Sequence, residues 1–157
     1  MKSQNKKYRP NVAAVVLSSA YPSKVEFFIG HRCDIKDAWL FPQGGIDEGE
    51  SPREALLREL AEEIGTNNVE VIAEYPHWLS YDFPETVASK MYPFDGQKQR
   101  YFLVRLKETK AINLATNDPE FVDFRFVSGD ELFSCVSHFK KTIYKKVLGH
   151  FKKSGYL

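Results

Sequence analysis

Apolar positions along the chain follow two different rhythms. Val12-Ala13-Ala14-Val15-Val16-Leu17 is an unbroken apolar run of strand length, and Val25-Glu26-Phe27-Phe28-Ile29 is a second, partly alternating one. Tyr21-Pro22-Ser23-Lys24 between them has turn composition, so the two runs are predicted to be neighbouring strands. The rhythm then becomes helical. Leu56, Leu57, Leu60 and Ile64 recur at three- and four-residue steps, and the stretch is bracketed by local stop and start signals. Ser51 suits the N-cap, Pro52 the first helical position, Glu54 the far corner of a capping box, and Gly65 the stop. A helix is therefore expected from about Pro52 to Ile64, opened by a glycine- and acid-rich loop over residues 44–50. Further strands are predicted at 69–73, 77–81, 99–106 and 124–127, and a closing helix at roughly 137–151. Strands thus surround one central and one terminal helix. Residues 82–96, with Pro84, Pro93 and Gly96, read as a long loop, of a length that in compact domains is often functional.

Composition narrows this little but usefully. At 157 residues the chain is predicted to be a single domain spanning 1–157, and 43% apolar against 27% charged residues predicts that it folds on its own. A net charge of only +1 argues against a nucleic-acid coat protein, so attraction to polyanions has to be local. The basic start, Met1-Lys2-Ser3-Gln4-Asn5-Lys6-Lys7, leads into no apolar segment of signal-peptide or membrane-spanning length, which predicts a soluble, cytoplasmic protein. Cys33 and Cys135 are far apart and resemble no metal-ligand pair; they are expected to be unpaired thiols.

The candidate chemistry lies on the central helix. Glu59, Glu62 and Glu63 stand at i, i+3 and i+4, which puts three like charges on one face beside the apolar stripe. Such a face can dock by its leucines and leave the acids at a cleft edge, where hard divalent cations, completed by phosphate oxygens, would relieve the repulsion. An isolated stripe of this kind is more often just a solvated face. The preceding loop tips the balance, because Gly44, Gly45 and Gly49 allow tight turning and close approach to a ligand.

The whole segment, Gly44-Gly45-Ile46-Asp47-Glu48-Gly49-Glu50, seven residues, then Arg58-Glu59-Leu60-Ala61-Glu62-Glu63-Ile64-Gly65, resembles the Nudix box at every fixed position; the one departure is Thr66, where an aliphatic residue is usual. The resemblance implies an α/β Nudix fold, a mixed β-sheet sandwiched between α-helices. It also implies hydrolysis of substrates in which a nucleoside diphosphate is linked to another group. Carried over residue by residue, Glu59, Glu62 and Glu63 become ligands of two or more Mg²⁺ ions, with Mn²⁺ as a possible substitute. Gly45 joins them at the metal site. Glu59 is also a candidate to activate water, Arg58 would orient the carboxylates, and Glu50 would support loop and helix.

Outside the box, Tyr8-Arg9-Pro10-Asn11-Val12, Trp39-Leu40-Phe41-Pro42-Gln43, Gly96-Gln97-Lys98-Gln99-Arg100-Tyr101-Phe102 and Pro119-Glu120-Phe121 resemble the branch of bacterial RNA pyrophosphohydrolases and dinucleoside polyphosphate hydrolases. That likeness implies Glu120 as a late-loop ligand or base, against the plainer reading of a surface glutamate. It implies Arg9, Gln97 and Lys98 on phosphates and places Gln43 among the substrate-binding positions. Alternation puts Lys98 and Arg100 on one face of their strand and Gln97, Gln99 and Tyr101 on the other, so not all of them reach one cleft. Ser137-His138-Phe139-Lys140-Lys141 resembles a base-recognition segment, with a nucleobase between Phe139 and Arg32 and Lys140 at its edge. Against that, Phe139, Ile143, Val147, Leu148 and Phe151 form an ordinary core stripe. Lys140 falls inside that apolar arc, so it needs a partner: an RNA end or a local carboxylate. The expected activity is removal of phosphates from the 5′-triphosphate or diphosphate end of RNA, leaving a monophosphate. The alternatives are cleavage of dinucleoside tetra- or pentaphosphates and a nucleotide-sensing module without catalysis. Neither DNA nor membrane is expected as a partner.

Overall fold

The computed structural model describes residues 5–34 and 38–157, apart from the side chains of His138 and Phe139. Its centre is β1 (Tyr8–Leu17), paired in parallel with β7 (Gly96–Leu106) and antiparallel with β2 (Phe27–Arg32). Outward from β2 lie the two-residue β3 (Trp39–Leu40) and β8 (Phe121–Val127). β4 (Gln43–Gly45) pairs with β1, whereas β5 (Val69–Glu74) and β6 (Leu79–Asp82) both pair with β7.

The apolar run of β1 is continuous because the strand is covered on both faces. Ala13, Val15 and Leu17 join one core with Phe41, Tyr101, Leu103 and Tyr144; Val12, Ala14 and Val16 join the other with Leu56, Leu60, Phe102 and Val104. The central helix α1 (Pro52–Ile64) covers the second face. The terminal helix α4 (His138–Lys153) covers the first through Tyr144, Val147, Leu148 and Phe151. A mixed sheet between helices is the expected architecture.

α1 begins and ends as its sequence predicts. Ser51 accepts from the Glu54 backbone while the Glu54 carboxylate accepts from Ser51, and Gly65 turns left-handed at φ 78°. A side chain at Gly65 would also run into the Asn113 carbonyl, whose residue donates its backbone N–H to Ile64. Leu56, Leu60 and Ile64 are fully buried, each worth about 1.5–3 kcal/mol. Like-charge pairs on a helix cost only about 0.2–0.5 kcal/mol each, so docking easily outweighs the self-repulsion of the acid stripe. Thr66 is buried, and its hydroxyl accepts the Asn68 backbone N–H, which gives the unusual residue a turn-capping contact.

Several elements differ from the sequence reading. Gly44 and Gly45, expected in the loop, form β4 together with Gln43, because the backbone of 43–45 adds to β1 opposite Ala13, Val12 and Asn11. The 82–96 segment carries a four-residue α2 (Glu85–Ala88), and Phe83 and Asp95 close its neck by a backbone bond of 2.8 Å. α3 (Gly129–Cys135) escapes the pattern because seven residues show too little periodicity, although its Ser128–Glu131 capping box is plain in the sequence. Both cysteines are free, and among the described residues no helix is long and apolar enough to cross a membrane.

Candidate active site

The acid stripe meets β4 at its two glycines. A side chain at Gly44 would collide with the Glu59 carboxylate, and one at Gly45 would collide with the Arg9 guanidinium. Neighbouring residues on a strand face opposite ways, so Glu59 lies on the α1 side of β4 and Arg9 on the α4 side. The glycines let both charged groups close in on the same short strand.

Arg58 ties this corner together. Its Nε and Nη2 donate to the two oxygens of Glu50 at 2.8 Å each, its Nη1 donates to Glu59 at 2.8 Å and to Glu62 at 3.3 Å, and Nη2 also donates to the Gly45 carbonyl at 2.8 Å. The guanidinium–Glu50 pair holds the Glu50 carboxyl down to about 2, so Glu50 is an anion that supports Arg58. The fork geometry explains why arginine rather than lysine is needed here.

Beyond Arg58 the carboxylates are crowded and under-compensated. Burial pushes Glu63 well up, with Glu120 and Glu59 adding to the effect, and its buried Oε1 has no hydrogen-bond partner. Burial also raises Glu59, despite Arg58, and Glu120, despite Arg32. The late-loop Glu120 is therefore close enough to the box to be felt by it, which its position in the sequence alone does not show.

These features fit the divalent cation that the Nudix resemblance implies. The donors are hard oxygens, one of them is orphaned and buried, and the local cation is already committed to Glu50 and Gly45. Among the described residues no three acidic, histidine or cysteine side chains are gathered closely enough to hold a metal ion by themselves.

A polar network fills the other side of β4. Arg9 and Asn11 donate to the Gln97 carbonyl at 3.3 and 3.0 Å, Gln97 donates to the Tyr81 hydroxyl, and Gln99 donates to Asn11 and Gln43 at 2.8 Å each. Lys140 reaches in from α4 and donates to Gln43 at 3.0 Å and to the Tyr81 hydroxyl at 3.3 Å, with its ammonium over the Tyr81 ring. Its partners thus include an amide carbonyl and a phenol, where the sequence suggested an RNA end or a carboxylate. Arg32 is chelated by Asp34 at 2.6–2.7 Å and also feels Glu120 and Glu63. Phe139 completes the expected base-recognition set, but its side chain lies outside the described residues.

The structure thus brings together Arg9, Gln43, Gln97 and Lys140 on one side of β4, and Arg58, Glu59, Glu62 and Gly45 at its end. Lys98 is the exception. It projects to the α1 side and sits 5.1 Å from the centre of the Trp78 ring, away from Gln97 and Arg9. Tyr81, Asn11 and Gln99 do not stand out in the sequence as site residues, because only the parallel register of β1 on β7 aligns Asn11 with Gln99.

Burial lowers the Lys140 ammonium to about 7. A lysine depressed on folding binds fewer protons in the native state than in the unfolded chain between about pH 7 and its ordinary value near 10.4, so it makes stability rise with pH across that window. Lys140→Met is expected to remove this rise. Unfolding temperatures measured from about pH 6 to 9.5 should climb more steeply for wild type than for the variant; parallel curves would show that Lys140 remains charged in the folded protein.

A family model described as the NUDIX domain matches residues 7–148. Proteins named RNA pyrophosphohydrolase are similar over nearly the whole chain. The one from a Nitratiruptor species is 63% identical, covering 98% of this chain and 99% of its own. The one from Helicobacter pylori is 56% identical, with coverage of 98% and 99%. Among solved structures, the Escherichia coli dihydroneopterin triphosphate pyrophosphohydrolase superposes with a TM-score of 0.70 at 16% identity, over 86% of this chain and 92% of that one. A Caenorhabditis elegans Ap4A hydrolase gives 0.69 at 16% identity, over 92% and 98%, and likenesses this remote speak for the fold alone. With the box intact on α1 and its carboxylates facing Glu120, the chain belongs to the Nudix family.

Proposed function

We propose that this protein is a metal-dependent RNA pyrophosphohydrolase that removes phosphates from the 5′-triphosphate or diphosphate end of RNA and leaves a 5′-monophosphate. The observation that carries the reading is 56–63% identity, over almost the full length, to proteins that bear that name. The local chemistry supports it, since a cluster of carboxylates, with Glu63 buried and Glu59 partly so, borders cationic and amide groups suited to phosphate oxygens.

In this reading Glu59, Glu62, Glu63 and Glu120, with Gly45, would hold Mg²⁺ or Mn²⁺, which would supply neutralisation of phosphate charge and activation of water. The protein's own side chains do the positioning. Arg58 fixes Glu59 and Glu62 by direct hydrogen bonds, and Glu50 fixes Arg58. Glu59 and Glu120 are the two carboxylates offered as acceptor of the proton from the attacking water. Arg9, steadied by Gln97, grips phosphate as a fork. Arg32 and Phe139 flank the base, with Lys140 and Gln43 at its edge. A water-derived oxygen joins phosphorus as the phosphoanhydride bond breaks, so no covalent enzyme intermediate is needed.

The test is a side-by-side measurement of kcat/KM on triphosphorylated RNA and on diadenosine tetraphosphate. Faster turnover of RNA, with a monophosphate end as product, is expected. Hydrolysis confined to the dinucleotide would move the protein to the dinucleoside polyphosphate reading. Binding of both without turnover in Mg²⁺ would make it a sensing module.

A further inference from the structure

Trp78 is a large aromatic residue left 40% exposed on a protein whose other tryptophan, Trp39, stacks on His31 and Arg125. Its ring is flanked by two cations, the Lys98 ammonium at 5.1 Å and the Arg100 guanidinium at 5.3 Å from its centre. Arg100 is fixed in place by Glu74, which accepts from both Nε and Nη2, while Lys98 makes no salt bridge among the described residues.

The sheet register places this group relative to the carboxylates. Gly44, Val12 and Arg100 lie side by side across β4, β1 and β7, and residues in register point to the same face. Val12 packs under α1, and the Gly44 side of that face is where the Glu59 carboxylate stands. Arg100, Lys98 and the Trp78 ring therefore share the α1 face with the acid stripe. The two cations on β7 lie two strands from Gly44, roughly 10 Å at the usual strand spacing, and Trp78, beside β6, lies beyond them. Arg9, Gln97 and Lys140 are on the opposite face. An exposed aromatic ring with adjacent cations, within a short reach of a site that holds a chain end, is the composition of a single-stranded nucleic-acid platform, in which a base stacks and the backbone phosphate meets a cation.

We propose that Trp78, with Lys98 and Arg100, is a stacking platform for the RNA chain that follows the 5′ end, the base lying on the indole and a backbone phosphate on Lys98. The inference rests on the RNA-end reading above. It predicts a contact that a substrate without a chain does not make.

The experiment has two arms. In a Trp39→Phe background Trp78 is the sole tryptophan, and titration with a 5′-monophosphorylated single-stranded RNA of about eight nucleotides should quench its fluorescence, whereas adenosine monophosphate should not. No turnover is involved, so this arm reports on the platform even if triphosphorylated RNA proves not to be a substrate of the wild-type enzyme, which is how failure of the functional reading would show itself. In the second arm Trp78→Ala should raise KM for triphosphorylated RNA of the same length by about five- to a hundredfold with kcat little changed, the loss of one stacked base. Trp78→Phe should recover most of it, which a merely destabilised fold would not do. Absence of quenching by RNA, equal quenching by adenosine monophosphate, or an unchanged KM in Trp78→Ala would each overturn the proposal.

Discussion

Treatment with EDTA is expected to bring hydrolysis of triphosphorylated RNA and of diadenosine tetraphosphate to background, and excess Mg²⁺ is expected to restore both. Burial raises Glu59, Glu63 and Glu120, with neighbouring carboxylates adding to the effect, and the arginine beside them is already bound to Glu50, Gly45 and Glu59. A polyphosphate brought to this corner adds negative charge to a site with little left to neutralise it. Bound cations supply several kcal/mol of charge stabilisation in the transition state, so their loss should cost about a thousandfold or more. Binding also has a signature independent of turnover, because a ligand that binds only the native state stabilises it by about 2.7 kcal/mol at a hundred times its Kd. The EDTA-treated protein should therefore melt at a lower temperature than the protein in Mg²⁺. Full activity in EDTA on either substrate would rule out the metal mechanism.

The parts of this molecule that are legible in its sequence are those set by local rules. α1 is readable to the residue because Ser51, Pro52, Glu54 and Gly65 act within one turn of its ends. β1 is readable because a strand covered on both faces has to be apolar throughout. What escapes depends on partners distant in sequence. Gly44 and Gly45 look like a loop until β1 is beside them, and Asn11 looks ordinary until β7 brings Gln97 and Gln99 alongside. The helical wheel shows that Lys140 faces inward, but its partners on β4 and β6 cannot be named from α4 alone. Simple alternation separates Lys98 from Gln97, whereas its neighbour Trp78 comes from another part of the chain altogether.

Glu59→Gln is expected to lower turnover by about 10²–10⁴-fold or more while leaving the fold intact, because the proposed metal ligand would be weakened and the proposed general base lost, and general-base catalysis alone typically supplies that much. The substitution keeps the shape of the side chain. It therefore still fits over Gly44, where even a methyl group on the strand would be in the way, and its carbonyl oxygen still accepts from Arg58. Only the charge is removed. In the absence of metal that removal relieves Glu63 and Glu120, so the melting temperature of the EDTA-treated variant should equal or exceed that of EDTA-treated wild type. Added Mg²⁺ should then raise it less than it raises wild type. Together these outcomes separate a catalytic loss from a folding defect, which would lower the melting temperature under both conditions. Glu120→Gln is the informative partner experiment, since it alters a carboxylate that lies outside α1, whereas Glu59 is the one paired with Arg58. If Glu120→Gln proves the more damaging of the two with stability unchanged, proton acceptance belongs to the late loop and Glu59 is chiefly a ligand. If Glu59→Gln turns over at near wild-type rate in saturating Mg²⁺, neither role can be assigned to it.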